Sequence, residues 1–407
     1  MEKTILHCDL NNFYASVAAK AHPEYDGLPL AVSGNPKERH GIILAKNMLA
    51  KADGVKTGEA IWVARQKCPN LVCLEPNFEE YVRVSAEVFQ IYSSFTDRVE
   101  RFGIDECWLD VTGSLQLFGS GKEIADKLRG LVKEKLGLTI SVGVSFTKVL
   151  AKLGSDLKKP DATTVLSRDN YMQIIGKMSP SELIMIGGKT NEKLKNLNIH
   201  TIQQLANANL PLLRQHFGVV ADNMVNSARG IETDEVKNCD YDHIPKSISN
   251  GTTTPRDIET LDDAKIVIYA LSELVAVRMR KFNLTANGIA LSLRYTDLSG
   301  SSRQTSLPSA TSNASAIAET AIILLKQMHN FAAPLRAITV AAIRLSDKAE
   351  MQFSLFDESL NREGKLEESI DKIRGKYGYH SVKRGVLLQN DLATNLHDED
   401  EFKPFQK

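Results

Sequence analysis

Two short apolar stretches that border acidic residues constrain the fold of this chain most strongly. The first, "ILHCDL", carries Asp9, and the second, "GIDECWLDV", opens with Asp105 and Glu106. Because side chains on a strand alternate between its two faces, each stretch predicts a buried strand with a polar end. If the two strands are neighbours in one sheet, their acidic ends meet. The pattern therefore predicts a sheet with a carboxylate-rich edge.

The adjacent acids Asp105 and Glu106 require a local distortion, since neighbours on an ideal strand point to opposite faces. Gly103 just before them predicts a tight bend, where the alternation is interrupted and both side chains can face one edge. Together with Asp9 and a backbone carbonyl such as that of Leu10, they offer hard oxygen ligands suited to Mg²⁺. Two such ions about 3.5–4 Å apart support phosphoryl transfer. A solvated strand end is the alternative for each acid taken singly.

The order of the predicted elements indicates the fold class. Up to about residue 165 the chain reads as strand, insertion, helix, two strands, helix, strand and helix, which fits an antiparallel-rich sheet with helices on one face. Residues 166–240 have a helical pattern, and residues 245–347 alternate as strands around two helices. A chain of 407 residues also exceeds what one hydrophobic core supports. We therefore expect a multidomain α+β protein.

Composition excludes several classes of protein. The 50 basic and 50 acidic side chains cancel, so a polyanionic partner has to be attracted by local patches. Five cysteines without a CxxC pair predict reduced thiols rather than a disulfide or zinc framework. No apolar run approaches the roughly 18 residues of a membrane span, and the start lacks the apolar core of a signal peptide. The prediction is a soluble cytoplasmic protein without membrane association.

Two regions predict local contacts with nucleic acid. In "IGGKTNEKLKNLNIHTIQQL", Gly187, Gly188 and Lys189 open a helical hairpin whose backbone N–H groups can face DNA phosphates. An ordinary helical hairpin fits the same pattern. Within residues 245–347, an excess of basic side chains predicts a basic sheet face, for which a solvated charged face is the alternative. The arginines placed in or beside its strands are Arg294, Arg303, Arg336 and Arg344.

Two groups of lysines are candidates for binding a triphosphate through their positive charges. The first group follows the strand "LTISVGV" on a predicted helix and consists of Lys148, Lys152, Lys158 and Lys159. The second group clusters in the inserted region and consists of Lys46, Lys51 and Lys56.

Four ordered motifs resemble those of Y-family translesion DNA polymerases of the bacterial DinB/UmuC type. "CDLNNFYASV" is similar to the first metal motif of that family, and "GIDECWLDVTGS" to the second, usually S-x-D-E-x-x-L-D. "SVGVSFTKVLAKLGSDLKKP" is similar to the stretch that closes the palm, and "IGGKTNEKLKNLNIHTIQQL" to the helix-hairpin-helix of the thumb. The resemblance extends from residue 3 to about residue 388.

The resemblance implies a monomer in which a palm, small fingers and a thumb are joined by a tether to a little finger domain, with primer-template DNA between them. The implied ranges are 1–10 and 75–165 for the palm, 11–74 for the fingers, 166–232 for the thumb, 233–244 for the linker, 245–347 for the little finger and 348–407 for a tail.

The resemblance also implies roles for residues near the acidic site. By motif position, Asp9, Asp105 and Glu106 are expected to hold two Mg²⁺ ions with help from the Leu10 carbonyl. Tyr14 is expected to be a steric gate, because its ring would fill the space that a ribose 2′-hydroxyl needs. The implied contacts of the deoxynucleoside triphosphate are Asn12, Phe13, Tyr14, Lys51 and Lys159.

In the tail, "QFSLF" resembles the peptide with which bacterial proteins bind the sliding clamp. Gln352 is expected to enter a polar site of the clamp, while Leu355 and Phe356 fill an apolar pocket. An exposed apolar pair within a polar tail fits this interpretation. A tail strand folded back on the body of the protein is the alternative.

Three positions depart from the DinB branch of the family. "NMLAK" stands where that branch has a pattern like S-Y-E-A-R, so Met48 replaces a tyrosine and Lys51 an arginine. Lysine keeps the charge of arginine but lacks its bidentate fork. Asn11 stands where many DinB proteins have a second aspartate. Asn11 and Lys51 resemble the UmuC branch instead, so the subfamily stays open.

The leading hypothesis is template-directed nucleotide addition opposite damaged bases, by two-metal-ion phosphoryl transfer with low fidelity. A polymerase-like accessory protein that binds DNA and the sliding clamp without catalysis is the alternative, supported by the altered fingers and opposed by the retained acids. A nucleotidyl cyclase-like enzyme can share such a palm. The thumb hairpin, the basic second domain and the clamp-like peptide have no use in a cyclase.

Overall fold

The structure is a computed structural model that describes residues 2–35, 41–241, 245–347, 358–388 and 390–392, with the backbone alone described for 358–364. The described chain forms two compact units, one built mainly from residues up to 241 and one from residue 245 onward. Helices and three separate sheets confirm the predicted multidomain α+β fold class. Across these residues, no helix combines the length and the apolar character that crossing a membrane requires.

Strands and helices of the first unit follow the two-residue and 3.6-residue apolar periods of the sequence. The strands are β1 (Ile5–Leu10), β2 (Leu30–Ser33), β3 (Ile43–Lys46), β4 (Val72–Leu74), β5 (Val99–Arg101), β6 (Glu106–Asp110), β7 (Ile140–Ser145) and β8 (Thr163–Val165). The helices are α1 (Phe13–Ala21), α2 (Met48–Ala52), α3 (Ile61–Lys67), α4 (Phe78–Ser93), α5 (Leu115–Phe118), α6 (Gly121–Leu136), α7 (Lys148–Leu157), α8 (Tyr171–Ile175), α9 (Gly188–Asn196), α10 (Ile202–Ala206), α11 (Leu210–Phe217) and α12 (Val220–Ala228).

A five-stranded sheet with the order β5-β6-β1-β7-β8 forms the centre of the first unit. Strand β1 is antiparallel to both of its neighbours, β6 and β7, and β8 is parallel to β7. One face, with Leu6 and Cys8, packs against α4 and α6. Helix α7 packs on the opposite face, where Ala151 joins Ile5 and Trp108. The expectation that helices cover one face is wrong, because periodicity reveals an apolar stripe but not the sheet face that receives it.

Two smaller substructures complete the first unit. Strands β3, β2 and β4 form a three-stranded sheet that packs with α2 and α3 around a core of its own, including Ile43, Ala50, Ile61 and Leu71. Helices α8 to α12 surround another core, including Leu194, Leu205, Leu213 and Val225.

The second unit is a four-stranded antiparallel sheet with the order β11-β10-β12-β9 and helices on one face. Its strands are β9 (Ser247–Ile258), β10 (Leu284–Tyr295), β11 (Gly300–Thr311) and β12 (Leu335–Asp347), and its helices are α13 (Leu261–Lys281), α14 (Ala314–Met328) and α15 (Glu358–Tyr377). Apolar side chains of α13 and α14 pack on alternate residues of β10 and β12. The other face carries short polar side chains, including Ser249, Thr253, Ser292, Ser302 and Thr339.

Helix α15 joins the second unit through charged side chains. Arg280 of α13 contacts Asp371 at 2.6 Å, and the buried Glu273 accepts a hydrogen bond of 2.9 Å from Arg374. Burying a charge costs free energy, and this cost is offset when two opposite charges pair and their hydrogen bonds are made. The second unit therefore continues beyond residue 347, where the sequence pattern placed its end.

Candidate active site

Strands β1 and β6 bring the two acidic stretches together. Asp9 lies directly opposite Glu106 in the antiparallel register. The Leu10 N–H donates to the Asp105 carbonyl at 3.0 Å, so that pair is hydrogen-bonded and the adjacent pair, Asp9 with Glu106, is not. Side chains of a non-hydrogen-bonded pair share one face and approach most closely. This is the meeting of carboxylates that the strand pattern predicts.

Asp105 lies in the bend that precedes β6. Gly103 adopts a positive φ of 119°, and the Phe102 N–H donates to the Glu106 carbonyl at 2.9 Å across the turn. Burial raises the pKa of Asp105, and the charge of Asp105 in turn raises the pKa of Asp9. A third carboxylate thus adjoins the facing pair, as the predicted bend requires.

Two lysines face the acidic pair. Lys159 Nζ lies 2.8 Å from Asp9 Oδ2, and Lys152 Nζ lies 2.5 Å from Glu106 Oε2. Burial raises the pKa of Asp9 to about 7 against the attraction of Lys159. Burial also opposes ionisation of Glu106, but the neighbouring His7 and the Lys152 ammonium lower the pKa of Glu106 to about 2. A further cation at this site would offset the cost of ionising the buried Asp9.

The chemistry of this group suits a hard divalent cation. Lysines bind one oxygen of Asp9 and one of Glu106, and no other described residue hydrogen-bonds the second oxygen of either carboxylate. No three His, Cys, Asp or Glu side chains in the described ranges already form a metal cage. Mg²⁺ usually takes one or two carboxylates plus substrate phosphates rather than a complete protein cage. The residues present therefore fit a hard divalent cation such as Mg²⁺.

Tyr14 lies at the start of α1, beside the acidic site. Asn12 precedes the helix with a left-handed φ of 50°, and Phe13 is buried in the core under it. The Tyr14 ring stacks on Tyr81 with centroids 4.2 Å apart. Burial and the nearby Asp105 raise the pKa of Tyr14 to about 12, so its hydroxyl stays neutral. The stacked ring is a rigid wall next to the carboxylates.

Asn11 has a structural role that sequence comparison with the DinB branch did not reveal. Its side chain donates to Ser141 Oγ at 2.9 Å and accepts from the Asp161 N–H at 2.8 Å. The amide supplies a donor and an acceptor at once, so one side chain joins both groups. Asn11 therefore connects the turn after β1 to the residues that follow Lys159. The nearest sign of this role in the sequence is that an asparagine stands where an aspartate is expected.

The lysines considered for phosphate contact have different environments. Lys148 is buried and lies 2.8 Å from both Glu100 and Asp234, so it ties the chain after α12 to the sheet rather than facing a substrate. Lys51 is exposed on α2. Burial lowers the pKa of the partly buried Lys46, and the positive charge of Lys51 lowers it further. Lys51 makes no ion pair with another described residue. Spacing along a helix cannot distinguish these environments.

The predicted DNA contacts lie on both units. Gly187, Gly188 and Lys189 are exposed at the N-terminus of α9. Arg294 is on the open face of the second sheet. Arg303 lies opposite the buried Leu291, which places it on the helix-covered side. Arg336 lies beside a register shift of β12. Arg344 has a positive φ of 55°, and its side chain donates a hydrogen bond to Ser306 on the open face.

The predicted clamp-binding residues Gln352, Leu355 and Phe356 lie outside the described residues.

Comparisons with known proteins agree with this architecture. A sequence model described as the impB/mucB/samB family matches residues 8–156, and one for the C-terminal domain of that family matches residues 245–355. The chain is 43% identical to the "DNA polymerase IV" of Acetivibrio thermocellus over 96% of its length and 98% of the relative. It is 37% identical to that of Pelotomaculum thermopropionicum, over 95% and 96%.

A solved structure shows the same fold. A Y-family DNA polymerase chimera of Dbh and Dpo4 superposes with a TM-score of 0.75 at 23% identity, covering 84% of this chain and 99% of the chimera. Together these matches confirm the resemblance found in the four sequence motifs. The chain therefore belongs to the impB/mucB/samB family, whose members are DNA-directed DNA polymerases of the Y family.

Proposed function

We propose that this protein is a template-directed polymerase of the translesion type, which adds deoxynucleotides to a primer 3′ end with low fidelity in DNA damage tolerance. The observation that carries the proposal is the facing pair Asp9 and Glu106, with Asp105 beside it. Relatives named DNA polymerase IV support the same reaction class. Two bound Mg²⁺ ions would supply activation of the 3′-hydroxyl and charge neutralisation at the leaving pyrophosphate.

The side chains of the site would bind and orient the substrate. Asp9, Asp105 and Glu106 would hold the metal through their carboxylates. Lys159 already contacts Asp9 from the end of α7, and a triphosphate oxygen can take over its ammonium once the carboxylate binds metal. Tyr14 would exclude a ribose 2′-hydroxyl because its ring is stacked and rigid. Asn12, Phe13 and Lys51 remain the further proposed contacts of the triphosphate.

The domain roles are proposed from the same resemblance. The five-stranded sheet would be the palm, the three-stranded sheet the fingers, helices α8 to α12 the thumb and the second unit the little finger. Exposed backbone N–H groups at Gly187 and Gly188 suit a DNA phosphate. The open face of the second sheet combines short hydroxyl side chains with Arg294, which permits close approach of a phosphate backbone.

Single-nucleotide primer extension tests the proposed function. The complete chain would be given primer-template DNA, Mg²⁺ and each deoxynucleotide in turn, with an undamaged template and one that carries an abasic site. We expect templated addition on the first and addition opposite or past the lesion on the second. Binding of the same DNA without any extension would instead indicate the non-catalytic accessory protein.

The Tyr14→Ala variant is expected to admit ribonucleotides. Removing the ring opens space for a 2′-hydroxyl, so the ratio of kcat/KM for ribonucleotide over deoxynucleotide should rise by about 10²-fold. Tyr14→Phe keeps the stacked ring and should keep the discrimination of the unsubstituted chain. Steady-state incorporation of paired ribo- and deoxynucleotides measures both ratios. Unchanged sugar selection in the alanine variant would remove Tyr14 as the gate.

Replacing both Leu355 and Phe356 by alanine is expected to weaken binding to the bacterial sliding clamp by more than about tenfold, because two apolar anchors are lost. Extension of a primer without the clamp should not change. Ser354→Ala, within the same peptide, is the matched control and should bind normally. Clamp affinity can be measured by surface plasmon resonance. Equal affinity of the double variant and the control would place the contact elsewhere.

A further inference from the structure

The turn of residues 158–162 joins α7 to β8 and carries Lys159, the proposed contact of the triphosphate. Lys159 Nζ lies 2.8 Å from Asp9 Oδ2 and 2.8 Å from Asp156 Oδ1. A lysine is a point charge on a flexible stem, so the place of its ammonium depends on how firmly its backbone is held. The contacts of Asp161, two residues further along, show what holds the backbone of this turn.

Arg129 of α6 binds Asp161 through several hydrogen bonds. Its Nε lies 3.1 Å from Asp161 Oδ1, and its Nη2 lies 2.8 Å from the same oxygen. Nη2 also donates to the Asp161 carbonyl, so one guanidinium holds both the side chain and the backbone of the turn. Lys133, one helical turn further along α6, lies 3.2 Å from Asp161 Oδ2. The planar fork of an arginine makes such multiple bonds with a fixed geometry, which a lone ammonium cannot do.

A second attachment of the turn comes from the residues that follow β1. The buried Asn11 accepts a hydrogen bond of 2.8 Å from the Asp161 N–H and donates one of 2.9 Å to Ser141 Oγ of β7. Asp161 has a left-handed φ of 51°, a conformation that persists where the surrounding structure holds it. The N–H, the carbonyl and the carboxylate of Asp161 are therefore all bonded to neighbouring elements.

The pair of Arg129 and Asp161 is partly shielded from water, since the two side chains are only 23% and 26% exposed. Burial opposes ionisation of Asp161, but hydrogen bonds from Arg129 and Lys133 lower the pKa of Asp161 below its usual value. The guanidinium is itself held in place: Nη1 lies 3.2 Å from Asp126 Oδ1, and that oxygen accepts a hydrogen bond of 2.7 Å from the Thr163 hydroxyl of β8. Both members of the pair thus have fixed positions.

We propose that Arg129 and Asp161 are positioning residues: the ion pair between them fixes the turn of residues 158–162, so that the Lys159 ammonium stays at the carboxylate edge where a triphosphate binds. A cation that is already in place binds its anion without the cost of being ordered first. Neither member of the pair has to touch the substrate, because both act through Lys159. The inference rests on the proposed polymerase function, which supplies the triphosphate.

Hydrogen–deuterium exchange of the complete chain, read by mass spectrometry, tests the role of the pair without any substrate. Arg129→Met keeps the apolar stem of the side chain and removes the guanidinium. We expect peptides that cover residues 158–162 to exchange faster by about tenfold in this variant. Lys122→Met is the matched control, because Lys122 lies on the same helix but pairs with Asp126 at 2.6 Å rather than with the turn. Equal exchange in Arg129→Met and Lys122→Met would overturn the proposal.

The consequence for the substrate is measured as the affinity for a deoxynucleoside triphosphate. A primer that ends in a dideoxynucleotide cannot be extended, so a titration of its complex with the next nucleotide gives Kd alone. We expect Arg129→Met to raise this Kd by about tenfold and Lys159→Met to raise it at least as much. The double variant should bind like Lys159→Met alone, because Arg129 acts through Lys159. Additive losses in the double variant would contradict a positioning role.

Asp161→Asn provides a second variant that does not depend on the folding of Arg129→Met. Asparagine also tolerates a left-handed φ, but it lacks the charge that pairs with Arg129 and Lys133. We expect faster exchange of residues 158–162 and a Kd raised by about threefold, a smaller effect because the amide oxygen still accepts a hydrogen bond.

The outcomes distinguish this proposal from the proposed function. An unsubstituted chain that binds the nucleotide but extends no ordinary primer would refute the polymerase function and leave the positioning of Lys159 intact. A normal Kd in both Arg129→Met and Asp161→Asn, in a chain that does extend primers, would refute the positioning role and leave the polymerase function.

Discussion

Primer extension by the Asp9→Asn and Glu106→Gln variants will fall by about 10³-fold or more, while affinity for primer-template DNA stays close to that of the unsubstituted chain. Both substitutions keep the shape of the side chain and remove its negative charge. In the folded protein each carboxylate holds a lysine ammonium through one oxygen, and the neutral amides would lose most of that attraction. An amide is also a much weaker ligand for Mg²⁺ than a carboxylate.

Asp110 offers a matched control on the same strand. It lies at the far end of β6 from Glu106, and its Oδ1 accepts hydrogen bonds from the N–H and the hydroxyl of Thr112. The oxygen of an asparagine can accept both bonds, so Asp110→Asn should extend primers nearly as well as the unsubstituted chain. Rates of single-nucleotide addition in Mg²⁺ and DNA binding by fluorescence anisotropy give the two quantities. Near-normal extension by Asp9→Asn, or an equal loss in Asp110→Asn, would refute the metal assignment.

The sequence is sufficient to predict that the carboxylates meet, because their meeting depends on local rules of strand structure. Apolar alternation fixed the strands of Asp9 and Glu106, and Gly103 marked the bend that brings Asp105 beside them. These features require no knowledge of the rest of the chain. They predict which side chains share an edge of the sheet, and the register agrees.

Features that depend on distant contacts were not predictable in this way. Lys148 and Lys152 are four residues apart on α7, yet Lys148 pairs with Glu100 and Asp234 while Lys152 reaches Glu106. The difference arises from the way α7 and the chain after α12 pack on the sheet, which spacing within a helix does not encode. The same limit applies to α15, whose polar sequence predicted a tail although buried ion pairs join it to the second unit.

The closest packing in the site predicts the largest loss of stability. A Cβ at Gly143 would meet the Ala151 carbonyl oxygen at 1.9 Å and the Ser155 nitrogen at 2.5 Å, and both are backbone atoms that no change of rotamer can move. Gly143→Ala must therefore push α7 off the sheet. We expect the free energy of unfolding of the first unit to fall by about 3 kcal/mol or more, at the upper end of overpacking effects.

Gly130 provides the control for this substitution. It lies exposed in the middle of α6, and a Cβ there has no other atom within 4 Å. Gly130→Ala should raise stability by up to about 1 kcal/mol, since alanine is the better helix former. Urea unfolding of both variants, followed by the fluorescence of Trp108 in the first unit, measures the two effects. Equal stability of the two variants would show that α7 does not lie as close to the sheet as described.

Displacement of α7 has a consequence for the site as well as for stability. Lys152 and Ser155 lie on this helix and Lys159 follows it directly, so all three move away from Glu106, His7 and Asp9 when the helix shifts. At temperatures where Gly143→Ala is still folded, its kcat for nucleotide addition should therefore be reduced, whereas Gly130→Ala should retain normal kcat. Normal activity in a destabilised but folded Gly143→Ala would mean that the contacts of Lys152 and Lys159 with the carboxylates are not required for catalysis.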